Sequence, residues 1–351
     1  MLLIYGSTGY TGRLIVREAL ERGLRPTLAG RNAAAVRTQA QSLGLEWRAA
    51  RIDDPAALDA ALADATVVLH CAGPFAHTWR AMSDACLRRR VHYLDITGEI
   101  AVFEGLARRD AEARAVGIML LPGVGFDVVP SDCLAAHLAR RLPNAAHLAL
   151  GFRALGGASR GTLTTMVENL GTPGAIRRNG KIEAVPQAWR TRRIDFGDGK
   201  LRDATTIPWG DVSTAFHSTG IPNVEVYMSM RPAVRYAAIA SRWLGPVLRT
   251  RIARGMLTAW VRRGAPGPSE AQRKRGASLL WGEAVAANGE RAEARLRGAS
   301  GYVMTAQTAV HLATKVLAGE APSGFQTPSR AYGPDVILEV PGVTRTDVTP
   351  A

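Results

Sequence analysis

Short apolar runs alternate with helical patterns through the first 130 residues. Leu2-Leu3-Ile4-Tyr5 is an apolar run, and the segment after it carries Leu14, Ile15 and Leu20 at helical spacing. Pro26 to Ala29 reads as a second strand, Ala33 to Leu43 as a helix, and Trp47 to Ile52 as a third strand. Asp54 before Pro55 marks a helix start, a carboxylate cap followed by proline in the first turn. Ala65 to Cys71 is almost wholly apolar, as a central parallel strand covered on both faces requires. A helix from Thr78 to Arg89, a strand from Val91 to Ile96, a helix from Ala101 to Val116 and a strand from Ile118 to Leu121 continue the alternation. The pattern predicts an α/β domain on a doubly wound parallel sheet.

Beyond Pro130 the pattern changes. Ser131 to Leu142 is predicted as a connecting helix, Ala145 to Phe152 as the first strand of a second sheet, and Asn223 to Met230 as another strand. Residues 171–206 read as short hairpins, while Leu279 to Ala287 and Ala292 to Leu296 form an antiparallel pair through Asn288-Gly289. Tyr302 to Leu317 is a long amphipathic helix. The expected organisation is a first domain over 1–130, a second α+β domain with a mixed or antiparallel sheet over 131–301, and a loose polar tail over 342–351.

A chain of 351 residues has the length of two domains. Cys71, Cys86 and Cys133 are an odd count without CxxC spacing, which points to reduced thiols and a cytoplasmic protein. No signal peptide is expected ahead of Leu2, and no run of 18 apolar residues predicts a transmembrane helix. The formal charge is +14, from 44 basic and 30 acidic residues, but the arginines are spread along the chain and aromatics are 6%. A nucleic-acid surface calls for clustered basic residues with interleaved aromatics, so nucleic acid is not an expected partner. The seven histidines show no HxH or HExxH spacing, and no metal is expected.

Arg231 to Arg263 departs from this texture. Apolar residues such as Ile252, Met256, Trp260 and Trp243 are interleaved with arginines and broken by Gly245-Pro246. Two readings stand: helices packed on the core with a solvated arginine face, or a basic amphipathic element meeting a membrane surface or an acyl chain.

The chemistry begins at the first turn, Gly6-Ser7-Thr8-Gly9-Tyr10-Thr11-Gly12, between a buried strand and a helix. Glycines let the backbone turn tightly and approach a pyrophosphate, whose charge the helix amino end stabilises. This is the fingerprint of a Rossmann-type dinucleotide site. A P-loop is excluded, because Gly12 is followed by Arg13-Leu14 rather than a Lys-Ser/Thr pair. After the second strand, Gly30-Arg31-Asn32 stands where an NAD site usually carries an acidic residue, so Arg31 favours the 2′-phosphate of NADP over NAD. Asp53, at a strand end, is a candidate for the adenine amino group. Cys71-Ala72-Gly73-Pro74-Phe75 turns on the cofactor side of the sheet.

These motifs, with His-Tyr-Leu-Asp-Ile-Thr-Gly-Glu at 92–99 and Gly-Phe-Asp-Val-Val-Pro-Ser-Asp at 125–132, resemble the saccharopine dehydrogenase-like oxidoreductases. The branch resembled includes trans-acting enoyl reductases. The likeness extends more loosely to 207–222 and 301–341. It implies that the first turn, Arg31 and the 71–75 turn contact NADP, the last near the nicotinamide. It also implies that 302–341 returns to the nucleotide-binding domain.

Hydride transfer belongs to the cofactor, and the protein supplies position and a proton donor. No tyrosine is followed by lysine four residues on, which excludes the short-chain dehydrogenase pair. His217 and Asp211 lie in a polar segment between Pro208 and Pro222, expected to be a loop, and are the candidate catalytic residues, with Ser213 beside them. Asp95, Glu99 and Asp127 sit at strand ends where they bind a substrate amine or cap the next helix. Ser159 and Arg160, in the turn Gly156 to Thr162, are candidates for a substrate anion or carbonyl. The functions in view are an NADP-dependent oxidoreductase on a small or acyl-type substrate, an enoyl reductase-like protein acting on lipid acyl chains, and a non-catalytic NADP sensor or scaffold. A homodimer and a peripheral membrane contact through 231–263 are the other partners considered.

Overall fold

The computed structural model describes all residues except 156, 158, 169, 170, 231, 249, 350 and 351; the side chains of 154, 168, 243–248 and 262 are also outside the description. β1 (Leu2–Tyr5) is buried at every position, which is why its sequence shows no polar alternation. Then follow α1 (Tyr10–Glu21), β2 (Thr27–Gly30), α2 (Ala33–Leu43), β3 (Trp47–Ala49), α3 (Pro55–Ala61) and β4 (Val67–His70). After them come α4 (Trp79–Arg89), β5 (His92–Asp95), α5 (Ile100–Ala107), α6 (Asp110–Val116) and β6 (Met119–Leu121). Asp54 caps α3 by accepting the Ala57 N–H at 3.0 Å. The single helix expected over 101–116 is two, parted at Arg108-Arg109, where the Arg109 guanidinium reaches Asp84 at 2.6 Å and Glu112 at 3.0 Å.

The chain continues with α7 (Val129–Arg141), β7 (Ala145–Ala154), α8 (Arg160–Glu168), β8 (Gly174–Arg178), β9 (Lys181–Val185), β10 (Thr191–Asp195) and β11 (Leu201–Thr206). Next are α9 (Asp211–Thr219), β12 (Asn223–Ser229), α10 (Pro232–Leu248), α11 (Arg251–Arg263), α12 (Glu270–Arg275), β13 (Ala277–Ala286) and β14 (Arg291–Ala299). The last elements are α13 (Gly301–Leu317), β15 (Gly324–Phe325), α14 (Pro328–Tyr332) and β16 (Thr344–Val348).

Two compact units result: residues 1–129 with 302–332, and residues 130–301 with 333–351. The first holds a seven-stranded parallel sheet in the order β15-β6-β5-β4-β1-β2-β3. Leu3, Val68, Met82, Tyr93 and Leu106 pack together in its core. This is the expected doubly wound, Rossmann-type sheet, with β15 as an added edge strand. Helix α13 is tied to this unit by Thr308, whose hydroxyl bonds the Val124 carbonyl at 2.8 Å.

The second unit holds a nine-stranded mixed sheet, β10-β11-β12-β7-β13-β14-β16, with β8 and β9 paired beside β12. Among the described residues, only β12 and β7 run parallel; the other pairs are antiparallel. The polar tail expected to be loose from Gly342 instead contributes β16, antiparallel to β14 from Thr344 opposite Arg297 to Val348 opposite Glu293. Polarity misleads there because an edge strand is held mainly by its backbone ladder. Asp347 adds bonds to His137 Nε2 at 2.7 Å and Arg141 at 3.0 Å.

Candidate nucleotide site

In the first unit the strand order reverses at β1, with β2 on one side and β4 on the other. Ligands of such sheets lie outside the strand carboxyl ends at that point. The first turn and the 71–75 turn meet there. The Cys71 N–H bonds the Tyr5 carbonyl at 2.8 Å, and a Cβ on Gly6 would stand 2.9 Å from the Ala72 nitrogen. Gly6 also has φ +85°, a conformation that side chains resist. A Cβ on Gly12 would lie 2.3 Å from the Gly6 carbonyl oxygen, so α1 packs directly on the turn it leaves. Gly9 is the N-cap of α1, and no side chain caps the helix. Its first-turn amides are therefore open to an anion, and the glycine cradle fits a pyrophosphate.

The side chains around the turn act as braces. Ser7 is buried, and its hydroxyl bonds Gln39 Oε1 at 3.0 Å while Gln39 Nε2 returns to the Ser7 carbonyl at 3.1 Å. Ser7 can therefore offer a ligand its backbone, while its side chain holds α2. Arg13 Nε bonds the Thr8 carbonyl at 3.0 Å, and Tyr10 meets Tyr302 edge-on at 5.1 Å. Sequence reasoning missed Gln39, because nothing local connects residue 39 with residue 7.

At the end of β2, Arg31 is exposed and pairs with no carboxylate among the described residues. Asn32, expected as a cofactor contact, caps α2 by accepting the Ala35 N–H at 3.1 Å. Asp53 is engaged by Arg51 through bonds of 3.0 and 2.8 Å, and that guanidinium holds its carboxyl below the ordinary range. Burial pushes the Tyr5 hydroxyl up to about 12; it donates to the Ala50 carbonyl at 2.9 Å.

The second turn rests on a network that the sequence did not reveal. Glu99 Oε1 accepts the Phe75 N–H at 2.8 Å and Oε2 the Ala76 N–H at 2.9 Å. Glu99, expected to bind substrate, thus brackets the turn. Thr78 donates its hydroxyl to the Ala72 carbonyl at 2.9 Å and accepts from His70 Nε2 at 2.9 Å. The hydroxyl has one proton, so His70 carries its own on Nε2. Burial holds His70 neutral, with its pKa pushed down to about 3.

Asp95 is buried at the end of β5. Its Oδ1 accepts the Thr97 and Gly123 N–H groups, each at 2.9 Å, and its Oδ2 accepts the Tyr93 hydroxyl at 2.5 Å. Burial raises it to about 6. Four residues beyond Gly123, Asp127 remains partly exposed, and desolvation pushes its carboxyl up to about 7. The loop carrying it is placed by α13: the Phe126 N–H bonds the Thr305 hydroxyl at 3.1 Å. Burial raises the Cys71 thiol, so it stays neutral.

The remaining candidates lie in the second unit. The segment expected to be a loop around His217 is helix α9. Asp211 and His217 are six residues apart, about 240° round the helix, so they do not converge on one point. Asp211 is fully buried and accepts the Ser131 hydroxyl at 2.9 Å; Ser213 is fully buried within the first turn of the same helix, and His217 lies against Phe216. In return, Ser218 donates to Asp132 on α7. Each helix thus gives the other one serine and one aspartate, and the pairs join α7 to α9. Ser159 caps α8 by accepting the Thr162 N–H at 3.2 Å, and Arg160 donates to the Gly264 carbonyl at 2.8 and 2.6 Å. Both therefore have structural partners; Gly156 and Ala158 of that turn lie outside the described residues. Among the described residues no metal-binding cluster occurs, and no helix is long and apolar enough to cross a membrane.

A parallel sheet of this order, with an uncapped glycine turn at its switch point, defines a dinucleotide-binding domain joined to a mixed-sheet α+β unit. Residues 2–121 match the family model described as the saccharopine dehydrogenase NADP binding domain. The match covers that part of the chain alone, and the domain that the model describes is one that binds NADP.

A trans-acting enoyl reductase of Mycobacterium leprae is 32% identical over 149 residues, covering 40% of this chain and 36% of that protein. A probable mitochondrial saccharopine dehydrogenase-like oxidoreductase of Arabidopsis thaliana is 31% identical over 153 residues, 37% of this chain and 33% of that protein. The matched part is about a third of each relative's length. The apo saccharopine dehydrogenase (L-Glu forming) of Saccharomyces cerevisiae shares the fold over 99% of both chains, with a TM-score of 0.64 at 13% identity.

Proposed function

We propose that the protein is an NADP-dependent oxidoreductase of the saccharopine dehydrogenase-like kind. The observation that carries the reading is the meeting of the two turns at the switch point, with α1 left uncapped beside them. The bound dihydronicotinamide would supply a hydride, or its oxidised form accept one. The amides of residues 7–12 receive the pyrophosphate, and Arg31 receives the 2′-phosphate. Asn32 and Asp53 border the adenosine, and the turn from Cys71 to Phe75, braced by Glu99, supports the nicotinamide end.

Asp127 is the proton donor in this reading. A carboxyl with a pKa raised to about 7 and partial exposure is half protonated near neutral pH, where donation is most efficient. Asp211 and His217 are set aside as a catalytic pair because α9 separates them. The substrate class is a small or acyl-type molecule with a reducible carbonyl, imine or activated double bond. Acyl substrates draw support from the enoyl reductases matched over part of the chain. The sensor or scaffold reading draws none.

Fluorescence titration of the purified chain with NADPH, followed by stopped-flow oxidation of the bound cofactor with enoyl thioesters and imines, tests the proposal. Saturable binding and substrate-dependent loss of the NADPH signal are expected. Absence of NADPH binding would overturn it.

A further inference from the structure

The sequence left Arg231 to Arg263 between a core element and a surface one, and the structure separates its two faces. Arg231 and Arg249 lie outside the described residues, as do the side chains of 243–248 and 262. Helix α11 lies within the described part and begins at a Thr250 cap, whose hydroxyl accepts the Ala253 N–H at 3.3 Å. Its carboxyl end is pinned by the bonds from Arg160 to the Gly264 carbonyl. One face is turned inward, where Val261 is 4% exposed. The other carries Ile252, Met256 and Trp260, four residues apart and 77%, 70% and 70% exposed. Residues at this spacing form one continuous ridge along a helix. A soluble helix normally turns such a ridge toward the core.

Charge decides what covers it. No acidic residue occurs between Glu225 and Glu270, whereas eight arginines do. Arg251 and Arg263, at the two ends of α11, are both exposed. Arg235 is paired with Asp203 and Arg242 with the Gln187 and Ala188 carbonyls, but a second copy would still bring Arg251 and Arg263, on a chain of net charge +14, against charges of the same sign. Arginines alone would suit any polyanion, nucleic acid included. An aliphatic and tryptophan ridge between them selects a surface that is anionic outside and hydrocarbon beneath. Tryptophan is enriched at that boundary, and basic amphipathic helices lie in it with the apolar face down. We propose that α11 docks the protein on an anionic lipid bilayer, with Ile252, Met256 and Trp260 entering the headgroup boundary and Arg251 and Arg263 contacting the lipid phosphates. This inference stands independently of the oxidoreductase reading.

Flotation of the full chain with phosphatidylcholine vesicles, with or without phosphatidylserine, tests it. Binding is expected only to the anionic vesicles, weakening steeply with salt. The triple variant Ile252→Ser/Met256→Ser/Trp260→Ser should lose at least tenfold in vesicle affinity, and Arg251→Gln/Arg263→Gln a comparable amount. All these positions are exposed, so melting temperature and NADPH titration should match the parent and separate this test from that of the oxidoreductase. Failure of the parent to bind anionic vesicles, or undiminished binding by the triple variant, would overturn the proposal. So would sedimentation showing a dimer that the triple variant abolishes, which would make a second copy the occupant.

Discussion

The carboxylate of Glu99 holds the Phe75 amide at 2.8 Å, joining the end of one βα loop to the turn that follows the neighbouring strand. Its second oxygen takes the Ala76 amide at 2.9 Å, so one side chain sets the path of the turn beside the switch point. The consequence is that a residue with substrate-binding chemistry serves as a positioning residue.

Replacing Glu99 with Ala should therefore lower stability by about 2 kcal/mol, since two amides lose a charged acceptor. It should also weaken NADPH binding several-fold. Replacement with Gln, which keeps one acceptor oxygen, should recover part of both. Thermal melts and NADPH fluorescence titration measure the two effects, and unchanged affinity in Glu99→Ala would refute the positioning role.

Gly12→Ala should cost roughly 1–3 kcal/mol and most of the NADPH affinity, because its Cβ would stand 2.3 Å from the Gly6 carbonyl oxygen. Gly9→Ala meets the same oxygen at 3.2 Å and should be tolerated far better. Equal effects in the two melts would show that close approach does not govern this turn.

Arg31→Ala should raise the Kd for NADPH by about tenfold or more, the scale of one lost charge-assisted contact, and leave that for NADH unchanged. The two titrations, run side by side, read the selectivity directly. Loss of affinity for both cofactors alike would remove Arg31 from the 2′-phosphate.

Asp127 ties stability to pH. Its folded pKa of about 7 lies above the ordinary carboxylate value near 3.9, so between these limits the folded chain holds a proton that the unfolded chain has released. Stability from this group is thus lost as pH rises from about 4 to about 7. Asp127→Asn should flatten that part of the pH profile of Tm and, if Asp127 is the donor, lower kcat far more than KM. Parallel Tm profiles for the two proteins would contradict the raised pKa.

Asp211→Ala should destabilise by about 2 kcal/mol through loss of the buried carboxylate that accepts the Ser131 hydroxyl, while NADPH affinity stays at the parent value. Calorimetric melting with a parallel NADPH titration checks both. A large affinity loss at an unaltered melting temperature would restore a role for this residue in binding.

Much of the first unit was readable in one dimension. Leu2 to Tyr5, the helix Ala33–Leu43 and the Asp54 cap depend on neighbours within a few residues, and the glycine turn needs only its own backbone geometry. Those local rules determined the doubly wound sheet and its nucleotide turn. Tertiary structure alone decided how polar side chains were used. Glu99, Arg160 and Asp211 have the chemistry of ligands, and each is engaged by an amide, carbonyl or hydroxyl that folding brings to it from far along the chain. The polar stretch after Gly342 likewise became a strand because β14 offered it an edge. Hydropathy and spacing record which groups a chain owns; only packing determines which of them find partners and which, like Arg31 and the ridge of α11, are left facing outward.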